Sequence, residues 1–456
     1  MYERIIRGRI VTPTGIIEGG WLGITDGKIL AVGEDSCPAS DSLDDYGDAY
    51  ILPGVIDGQT HAGSQIGFPG LGPTTMAAAM GGVTTIVDMP YDEPDPITDR
   101  TLLDRKIEAI HTHAVCDVAL YGTVGKSPVA EDVASLIAGG VCAFKISSFE
   151  AHAHRFPRID NGAALDLMQM LSPTGLPLCL HNEDQEIIAR SVAELKSQGK
   201  IGPEFHSPSR PESAELTAIA TFLETGRHAG CRLHIVHIST AEGFDLVRRY
   251  REEGVAASAE MCVHYLQLDA AEDTPRLGGL LKVNPPIRSG QREALWTVLE
   301  NGQAAFVSSD HSAWPLERKL KPSIYDVAAG MPGLETLLPV FFTGATARGS
   351  LDDAARLTAH LLSEAPAQFF GLSQKGQLAP AMDADIAVLE PRSWTYDAKR
   401  NTAGPGWSAF DGQSLTGMVR ASYVRGRKIW DGEGIEVQPG WGRFVARQNR
   451  SAQSAG

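Results

Sequence analysis

The sequence of 456 residues lacks the features that mark membrane-spanning and secreted proteins. No segment has eighteen consecutive apolar residues, the length that a membrane-spanning helix needs. The start, MYERIIRGRIV, has no cationic region followed by a long apolar run and a cleavage site, so we expect no signal peptide. The six cysteines form no C-x-x-C pair, and five of them lie in or beside apolar runs. Buried free thiols in a reducing compartment fit this pattern, and we expect a cytoplasmic protein.

Positive charge is also scarce, since the formal net charge is -16 at pH 7. Nucleic acids and anionic membranes need a basic surface on a protein partner, so we expect neither as a partner. The composition, with 43% hydrophobic and 21% charged residues, is that of an ordinary globular protein with a sizeable core. The length suggests one large α/β unit with a smaller second unit.

Eight short apolar runs alternate with helical patterns over the middle of the chain. Near-continuous apolar runs suit strands that are covered on both faces, and several intervening stretches begin near Ser, Thr or Asp and end at Gly. This alternation predicts a (β/α)8 barrel of the TIM type over residues 53–373. The eight runs are 52–61, 83–90, 116–124, 141–146, 176–183, 232–239, 255–266 and 304–311.

The two ends of the chain predict a different architecture. Residues 1–52 and 374–456 contain strand-like segments with glycine-containing turns, such as GWLGITDGKILAVG and GMVRASYVRGRKIW. We expect both ends to pair into one small β-sandwich domain beside the barrel, within an α/β fold class overall. The final stretch QNRSAQSAG is polar and rich in small residues, which predicts disorder.

Polar side chains end five of the eight apolar runs. In barrels of this type, active sites are built from the carboxyl ends of the strands. Each residue alone is weak evidence, because a lone histidine on a strand is more often a hydrogen-bonded core residue and a lone aspartate often caps a helix. Six of them at the same end predict a functional site, and they are Gln59, His61, Lys145, His181, His237 and Asp310.

The donor types in this set predict a metal site. Imidazole nitrogens and carboxylate oxygens suit Zn²⁺ and similar divalent ions. Lys145 lies in an apolar run, where burial makes an ammonium costly and lowers the lysine pKa. A neutral amine can add carbon dioxide, and the resulting carbamate is an anion that can bridge two metals. Taken alone, Lys145 is explained more simply by an amine that reaches the barrel mouth.

Such a site would favour hydrolysis. Two metals that share a hydroxide provide a strong nucleophile at neutral pH and polarise a carbonyl. Asp310 can take a proton and return it to a leaving nitrogen. The predicted reaction is metal-assisted hydrolysis of an amide-like bond, and a phosphotriester or a lactone stays open as the substrate.

Eight longer motifs contain or accompany the six residues at the strand ends, and they are LPGVIDGQTH, GGVTTIVDMP, VCAFKI, LHNED, LHIVHIST, AEMCVHYLQL, LKVNPPIR and VSSDH. Through these motifs, nearly the whole chain resembles the cyclic amidohydrolases of the amidohydrolase superfamily, which include dihydropyrimidinase (hydantoinase), allantoinase and dihydroorotase. The resemblance implies a homotetramer or homodimer, a small cyclic amide or ureide as substrate, and Asp310 as the catalytic acid/base. It also implies zinc, one or two ions per subunit, with the ligands His61, Lys145 (carbamylated), His181, His237 and Asp310.

Three positions depart from the family pattern. Gln59 stands where the family has the first histidine of His-x-His, so we expect the metal near His61 to be the weaker one, at a site that is altered but not lost. Gly63 stands where dihydroorotases have an arginine for the substrate carboxylate, which disfavours dihydroorotate. Glu150 replaces a tyrosine that helps the oxyanion in many dihydropyrimidinases, which leaves metal, Ser147, Ser148 or a backbone NH for that task.

The resemblance also suggests substrate contacts, which we predict at Ser148, Asn284 and Met331. Such contacts involve backbone groups to a large extent, so the ring that is opened stays undetermined. Two alternatives remain open. One is a metal-depleted relative that acts as an assembly or interaction protein, and the other is a non-cyclic amidase or deaminase on the same barrel.

Overall fold

The computed structural model describes residues 1–34 and 36–448. In chain order the strands are β1 (Tyr2–Thr12), β2 (Gly15–Thr25), β3 (Lys28–Gly33), β4 (Ser40–Pro53), β5 (Val55–Thr60), β6 (Val83–Asp88), β7 (Asp117–Gly122), β8 (Ala143–Ser147), β9 (Pro177–His181), β10 (Arg232–Ile235), β11 (Ala257–Ala259), β12 (Met261–Cys262), β13 (Val307–Ser308), β14 (Ile386–Thr395), β15 (Ser414–Val424) and β16 (Arg427–Trp430).

The α-helices are α1 (Leu71–Met80), α2 (Arg100–His113), α3 (Ala130–Ala138), α4 (Asn161–Leu171), α5 (Gln185–Ser197), α6 (His206–Ser209), α7 (Glu212–Gly226), α8 (Ala241–Glu252), α9 (Ala270–Leu277), α10 (Arg292–Glu300), α11 (Leu316–Lys319), α12 (Leu337–Thr346), α13 (Leu351–Ala359) and α14 (Ala365–Phe370). Several begin at a capping side chain, as the sequence pattern predicts. The Asp99 carboxylate accepts from Leu102 N ahead of α2, and the Thr240 hydroxyl accepts from Gly243 N ahead of α8. In the described part of the chain, no helix combines the length and apolar character that crossing a membrane would require.

The middle of the chain forms the predicted barrel. Strands β5 to β11 make one parallel sheet whose spatial order follows the chain order. The short parallel pair of β12 with β13, and a parallel bridge between Thr60 and His311, bring the eighth strand position back to the first. The (β/α)8 fold class is therefore confirmed.

The last two barrel strands are shorter than the apolar runs suggested. The run 255–266 is divided into β11, β12 and a 3-10 turn at Val263–Leu266, and the run 304–311 keeps only two residues in β13. Both runs are apolar because they are buried at the barrel wall. Their apolar character therefore reports burial more faithfully than extended backbone.

The two chain ends meet in a second sheet, in the order β16-β15-β14-β4-β1-β2-β3. Strands β1 and β4 are parallel, the other neighbouring pairs are antiparallel, and register shifts interrupt β1 near Gly8. Side chains from strands far apart in this order share one apolar core, for example Leu22 of β2 and Tyr423 of β15. A sheet that folds over its own core in this way is the second domain that the sequence predicted from both ends.

Two segments of this second domain return to the barrel. Residues 396–413, between β14 and β15, reach the barrel loops, where Trp407 Nε1 donates to Trp314 O at 2.8 Å. Near the end of the described chain, Val445 N donates to Val118 O of β7 at 2.8 Å. The domain limits predicted at 52/53 and 373/374 stay a prediction. Most of the stretch QNRSAQSAG lies outside the described residues.

Candidate metal centre

A cavity of about 460 Å³ opens at the carboxyl ends of the barrel strands. Six side chains predicted from strand ends line it together, although they are spread over 252 positions of the sequence, from 59 to 310. Aromatic side chains complete the lining, and the rings of Tyr91 and Phe156 stack with their centroids 3.7 Å apart. The six converging residues are Gln59, His61, Lys145, His181, His237 and Asp310.

His181 and His237 form one side of this centre. His181 Nδ1 lies 3.0 Å from His237 Nε2, so the two imidazole nitrogens face each other. Burial is the main cause that lowers the pKa of His181, and it lowers the pKa of His237 well below its usual value. Both imidazoles are therefore neutral at pH 7, which is the form that binds metals.

A buried ion pair supports His181 from behind. Glu183 Oε2 lies 3.0 Å from His181 Nε2, and Arg210 Nε donates to Glu183 Oε1 at 2.7 Å. Burial alone would raise the pKa of Glu183, but the charge of Arg210 outweighs it and holds the pKa well below the usual range. The ionised carboxylate fixes the proton of His181 on Nε2 and leaves Nδ1 for a ligand. Sequence reasoning missed this pair, although Glu183 stands two positions after His181 in LHNED.

Gln59, His61 and Asp310 form the other side. Gln59 Nε2 donates to Asp310 Oδ1 at 2.8 Å, and His61 Nε2 lies 3.4 Å from the same oxygen. Burial would raise the pKa of Asp310, but the hydrogen bond and charge of His61 outweigh it and keep this carboxyl ionised. The carboxamide oxygen of Gln59 is buried and has no partner among the described residues.

The loop that carries His61 is held by a buried charged cluster. Asp88 Oδ1 accepts from Ala62 N at 2.8 Å, and Lys106 Nζ lies 2.7 Å from carboxylate oxygens of both Asp88 and Asp92. On its far side, His61 Nδ1 lies 3.1 Å from the hydroxyl oxygen of Ser64. The support of His61 therefore differs in kind from that of His181.

Lys145 lies in β8 between the two sides and is buried. Burial is the largest effect on its amine and lowers its pKa to about 8, although nearby acidic groups such as Asp310 and Glu260 act in the opposite direction. A lysine with this pKa has an appreciable neutral fraction at pH 7, as nucleophilic addition to carbon dioxide requires. Lys145 is 1% exposed although it lines the cavity, so its amine does not extend into bulk solvent as the simpler explanation requires.

Two of the converging residues have left-handed backbone conformations. The φ angle is +41° at His237 and +49° at Asp310, which is uncommon outside glycine. Such conformations persist where surrounding structure holds them, and they occur often at functional sites. Both residues lie just beyond short strands, so this turn of the backbone aims their side chains at the cavity.

The predicted substrate contacts lie in three different settings. Asn284 lines the cavity, and its side-chain oxygen is buried without a partner among the described residues. Ser148 Oγ lies 2.8 Å from the carbonyl oxygen of His181 and 3.0 Å from that of Glu183, and its single proton can be donated to either. Met331 is buried, and its carbonyl accepts from Ser312 N. The roles of all three residues stay predictions.

Three further histidines are buried near the centre. His234 Nδ1 lies 2.8 Å from Ser258 Oγ and its ring stacks on Phe306, away from the cavity. His311 Nδ1 accepts from Gly333 N at 3.1 Å, so it holds the loop after β13. Burial lowers the pKa of His311 to about 3 and that of His264 to about 4, so both imidazoles are neutral at pH 7.

The donor set fits divalent metal, although the donors meet in pairs. Within residues 1–34 and 36–448, no three His, Cys, Asp or Glu side chains already form a metal-binding group. The facing nitrogens of His181 and His237, at 3.0 Å, are close to the spacing of about 3.3 Å expected for two ligands on one zinc ion. The orphaned oxygen of Gln59 and the lysine between the pairs supply further donors, so the residues present suit one or two divalent ions.

Comparisons with known proteins identify the family to which the chain belongs. The model of the amidohydrolase family matches residues 50–429. An allantoinase of Rubrobacter xylanophilus is 33% identical over 99% of this chain and 99% of its own length. An L-hydantoinase of Paenarthrobacter aurescens is 32% identical over 99% of this chain and 100% of its own length.

A solved structure is similar over the same extent. The L-hydantoinase (dihydropyrimidinase) from Arthrobacter aurescens superposes with a TM-score of 0.91 at 29% identity, and the match covers 98% of this chain and 100% of that chain. Both the barrel and the domain made from the two chain ends therefore have counterparts in it.

Proposed function

The chain belongs to the amidohydrolase family, and from this membership we propose that it hydrolyses a cyclic amide or ureide of hydantoin, dihydropyrimidine or allantoin type. The observation that carries the proposal is the meeting of neutral imidazoles, a buried lysine and an ionised aspartate from separate strand ends in one cavity. Enzymes of the family depend on metal, and this donor set suits that dependence.

The proposed ligands divide between two sides of the centre. His181 and His237 would hold one Zn²⁺ ion, and His61, Asp310 and the weak donor Gln59 would hold the other, with Lys145 as a carbamate between them. Bound zinc activates water and polarises the carbonyl of the ring. The low pKa of Lys145 and its place between the two sides support the carbamate.

Asp310 is the proposed acid/base. It is ionised, and hydrogen bonding from Gln59 holds its carboxylate at the cavity. In hydrolysis, water oxygen bonds to the ring carbonyl carbon while Asp310 takes the water proton. The carbon–nitrogen bond then breaks, and Asp310 returns the proton to the leaving nitrogen.

The surroundings of Gly63 support a neutral ring rather than dihydroorotate. A Cβ atom added at Gly63 would lie 2.0 Å from Asp92 Oδ1, so this position has no room for a cationic side chain. Arg155 lines the cavity, but its guanidinium is already engaged with Ser64 O at 3.0 Å and with Glu93 at 3.0 Å. A substrate carboxylate would have to compete for it.

The test combines metal content with a hydrolysis screen. We expect purified protein to contain zinc and to open at least one ring among hydantoins, dihydrouracil and allantoin, with dihydroorotate much slower. Asp310→Asn protein, prepared in parallel, is the matched control for contaminating activity. Protein without metal that opens no ring, even after zinc and bicarbonate are added, would support the scaffold alternative instead.

The remaining parts of the proposal concern the setting of the enzyme. We propose a homo-oligomer, a dimer or tetramer, on the resemblance to cyclic amidohydrolases. A cytoplasmic location and the lack of nucleic-acid or membrane partners rest on the composition and the net charge of -16. Light scattering on the purified protein tests the proposed oligomeric state directly.

A further inference from the structure

One wall of the cavity is built mainly from backbone. It consists of Lys282, Asn284 and residues 328–330, which we call the backbone wall. Residues 328–330 read Ala-Ala-Gly, so polar atoms of a bound ring can meet only backbone groups there. Gly330 N donates to Lys282 O at 2.9 Å, which joins the two parts of the wall.

A buried lysine ties the backbone wall together from behind. Lys319, at the end of α11, donates from Nζ to Lys282 O at 2.9 Å, to Ala328 O at 2.8 Å and to Gly330 O at 2.7 Å. An ammonium has three donors, and these three carbonyls use all of them. The three oxygens belong to Lys282, Ala328 and Gly330, and they meet at Lys319 Nζ because the backbone conformation in both parts of the wall directs them there.

This lysine is unusual because nothing of opposite charge accompanies it. Lys319 is 1% exposed, and no carboxylate pairs with it in the described part of the chain. Burial, and then the charge of Lys282, lowers its pKa, and the three carbonyls oppose this effect by accepting from the charged form. Filling the space with an apolar side chain would avoid this desolvation. The carbonyl contacts are therefore the feature that a lysine, and not a methionine, provides here.

The second domain braces the same wall. Trp314 Nε1 donates to Ala329 O at 2.8 Å, and Trp407 Nε1, from the segment between β14 and β15, donates to Trp314 O at 2.8 Å. Lys319 Nζ also lies 5.5 Å from the centre of the Trp407 ring. The carbonyls of residues 328–330 are thus held by one ammonium and one indole.

We infer that Lys319 is a positioning residue for the substrate ring, which fixes the backbone wall and thereby selects between the two enantiomers of a chiral ring. The inference rests on the proposed function. Enantiomers differ in which side of the ring carries the substituent, so discrimination needs a wall at a fixed distance from the metal centre. A backbone wall with more conformational freedom would allow both enantiomers to bind.

The decisive variant is Lys319→Met, which keeps the length of the side chain and removes its donors. Its matched control is Lys321→Met, the same substitution at an exposed lysine two positions further on. For each protein we measure zinc content, melting temperature, and kcat and KM for both enantiomers of the chiral ring that wild type opens fastest.

We expect Lys319→Met to keep its zinc and to raise KM about tenfold, with kcat changed much less, because the wall binds the ring without touching the reacting bond. The ratio of kcat/KM between the enantiomers should fall about tenfold toward unity. Lys321→Met should match wild type. Simple loss of folded protein would lower the apparent kcat for both enantiomers equally and leave both the enantiomer ratio and KM unchanged. An unchanged ratio and an unchanged KM in Lys319→Met would therefore overturn the inference.

A second variant covers the case in which Lys319→Met does not fold. Trp407→Phe removes one indole donor from the brace, far from the ring, and should lower the enantiomer ratio about two- to threefold. An unchanged ratio in that variant would overturn the inference. A wild-type protein that opens no ring would overturn the proposed function, and this inference with it; active wild type with unaltered variants would overturn this inference alone.

Discussion

The two sides of the candidate centre differ in how their histidines are supported. His181 rests against the buried Glu183–Arg210 pair, in which the Glu183 side chain is 1% exposed. His61 rests against the hydroxyl of Ser64, and the side chains of His61 and Asp310 remain 15% and 13% exposed. A charged, dry support fixes an imidazole more firmly than a hydroxyl near solvent, so the His181 side is the preorganised one.

The difference suggests a division of work between the sides. The His181 side has two neutral imidazoles, and metal binding is the role proposed for both. The other side combines weaker donors with Asp310, which is also the proposed acid/base. A carboxyl group that exchanges protons benefits from access to solvent. It also benefits from a neutral partner such as Gln59, whose carboxamide can hydrogen-bond to the carboxyl group in both of its protonation states.

The largest effect is expected from Lys145→Ala, because this residue is proposed to serve both sides. Without the bridging anion, we expect turnover to fall at least about a thousandfold and most metal to be lost from both sides. Metal analysis and initial rates on the purified variant measure this. Added short-chain carboxylate should restore part of the rate. If Lys145→Ala had full zinc content and full activity without added carboxylate, Lys145 would not act as a carbamate ligand.

Asp310→Asn should affect the two sides unequally. We expect the fold and the metal on the His181 side to persist, while kcat falls about a thousandfold because no group shuttles the proton. The asparagine keeps the size of the side chain and can still accept from Gln59 Nε2. Near-native kcat in this variant would assign the acid/base role to another residue.

The unequal support can be tested by one variant on each side. Glu183→Gln should weaken metal binding on the His181 side about 10- to 100-fold, because the carboxylate no longer fixes the proton of that imidazole. Ser64→Ala, the matched change behind His61, should weaken binding less than about tenfold, since a neutral hydroxyl is lost. Competition with a chelator measures both, and equal losses would show that the two supports are equivalent.

The residues that line the cavity at the strand ends could be predicted from the sequence, but the residues that support them from behind could not. Gln59, His61, Lys145, His181, His237 and Asp310 could be predicted because each is a polar residue at the end of an apolar run. Arg210 pairs with Glu183 across 27 positions, and no local pattern reports such a contact. The three carbonyl partners of Lys319 are backbone atoms, which have no signature in the residue types. The left-handed turn at Asp310 likewise follows from tertiary packing that local propensity does not show.

The smallest effect is expected from Gln59→His, which changes the weaker side alone. Gln59 is buried in β5 with its side chain at Asp310, and an imidazole has a similar volume, so the variant should fold. A carboxamide oxygen is a neutral and weak donor for zinc, whereas an imidazole nitrogen is a good one. We therefore expect the second metal to bind about tenfold tighter, with the His181 side unchanged.

Calorimetric metal titration of wild type, Gln59→His and Gln59→Ala shows whether this expectation holds. Wild type should give one tight and one weak binding event, and Gln59→Ala should weaken the second only slightly, because little was contributed by the carboxamide. The turnover rate of Gln59→His can rise or fall. The hydrogen bond from the Gln59 carboxamide to Asp310 is lost, while the occupancy of the second metal rises. Two equally tight events in wild type, unchanged in Gln59→His, would show that Gln59 has no bearing on metal affinity, and the two sides would then differ only in their supports.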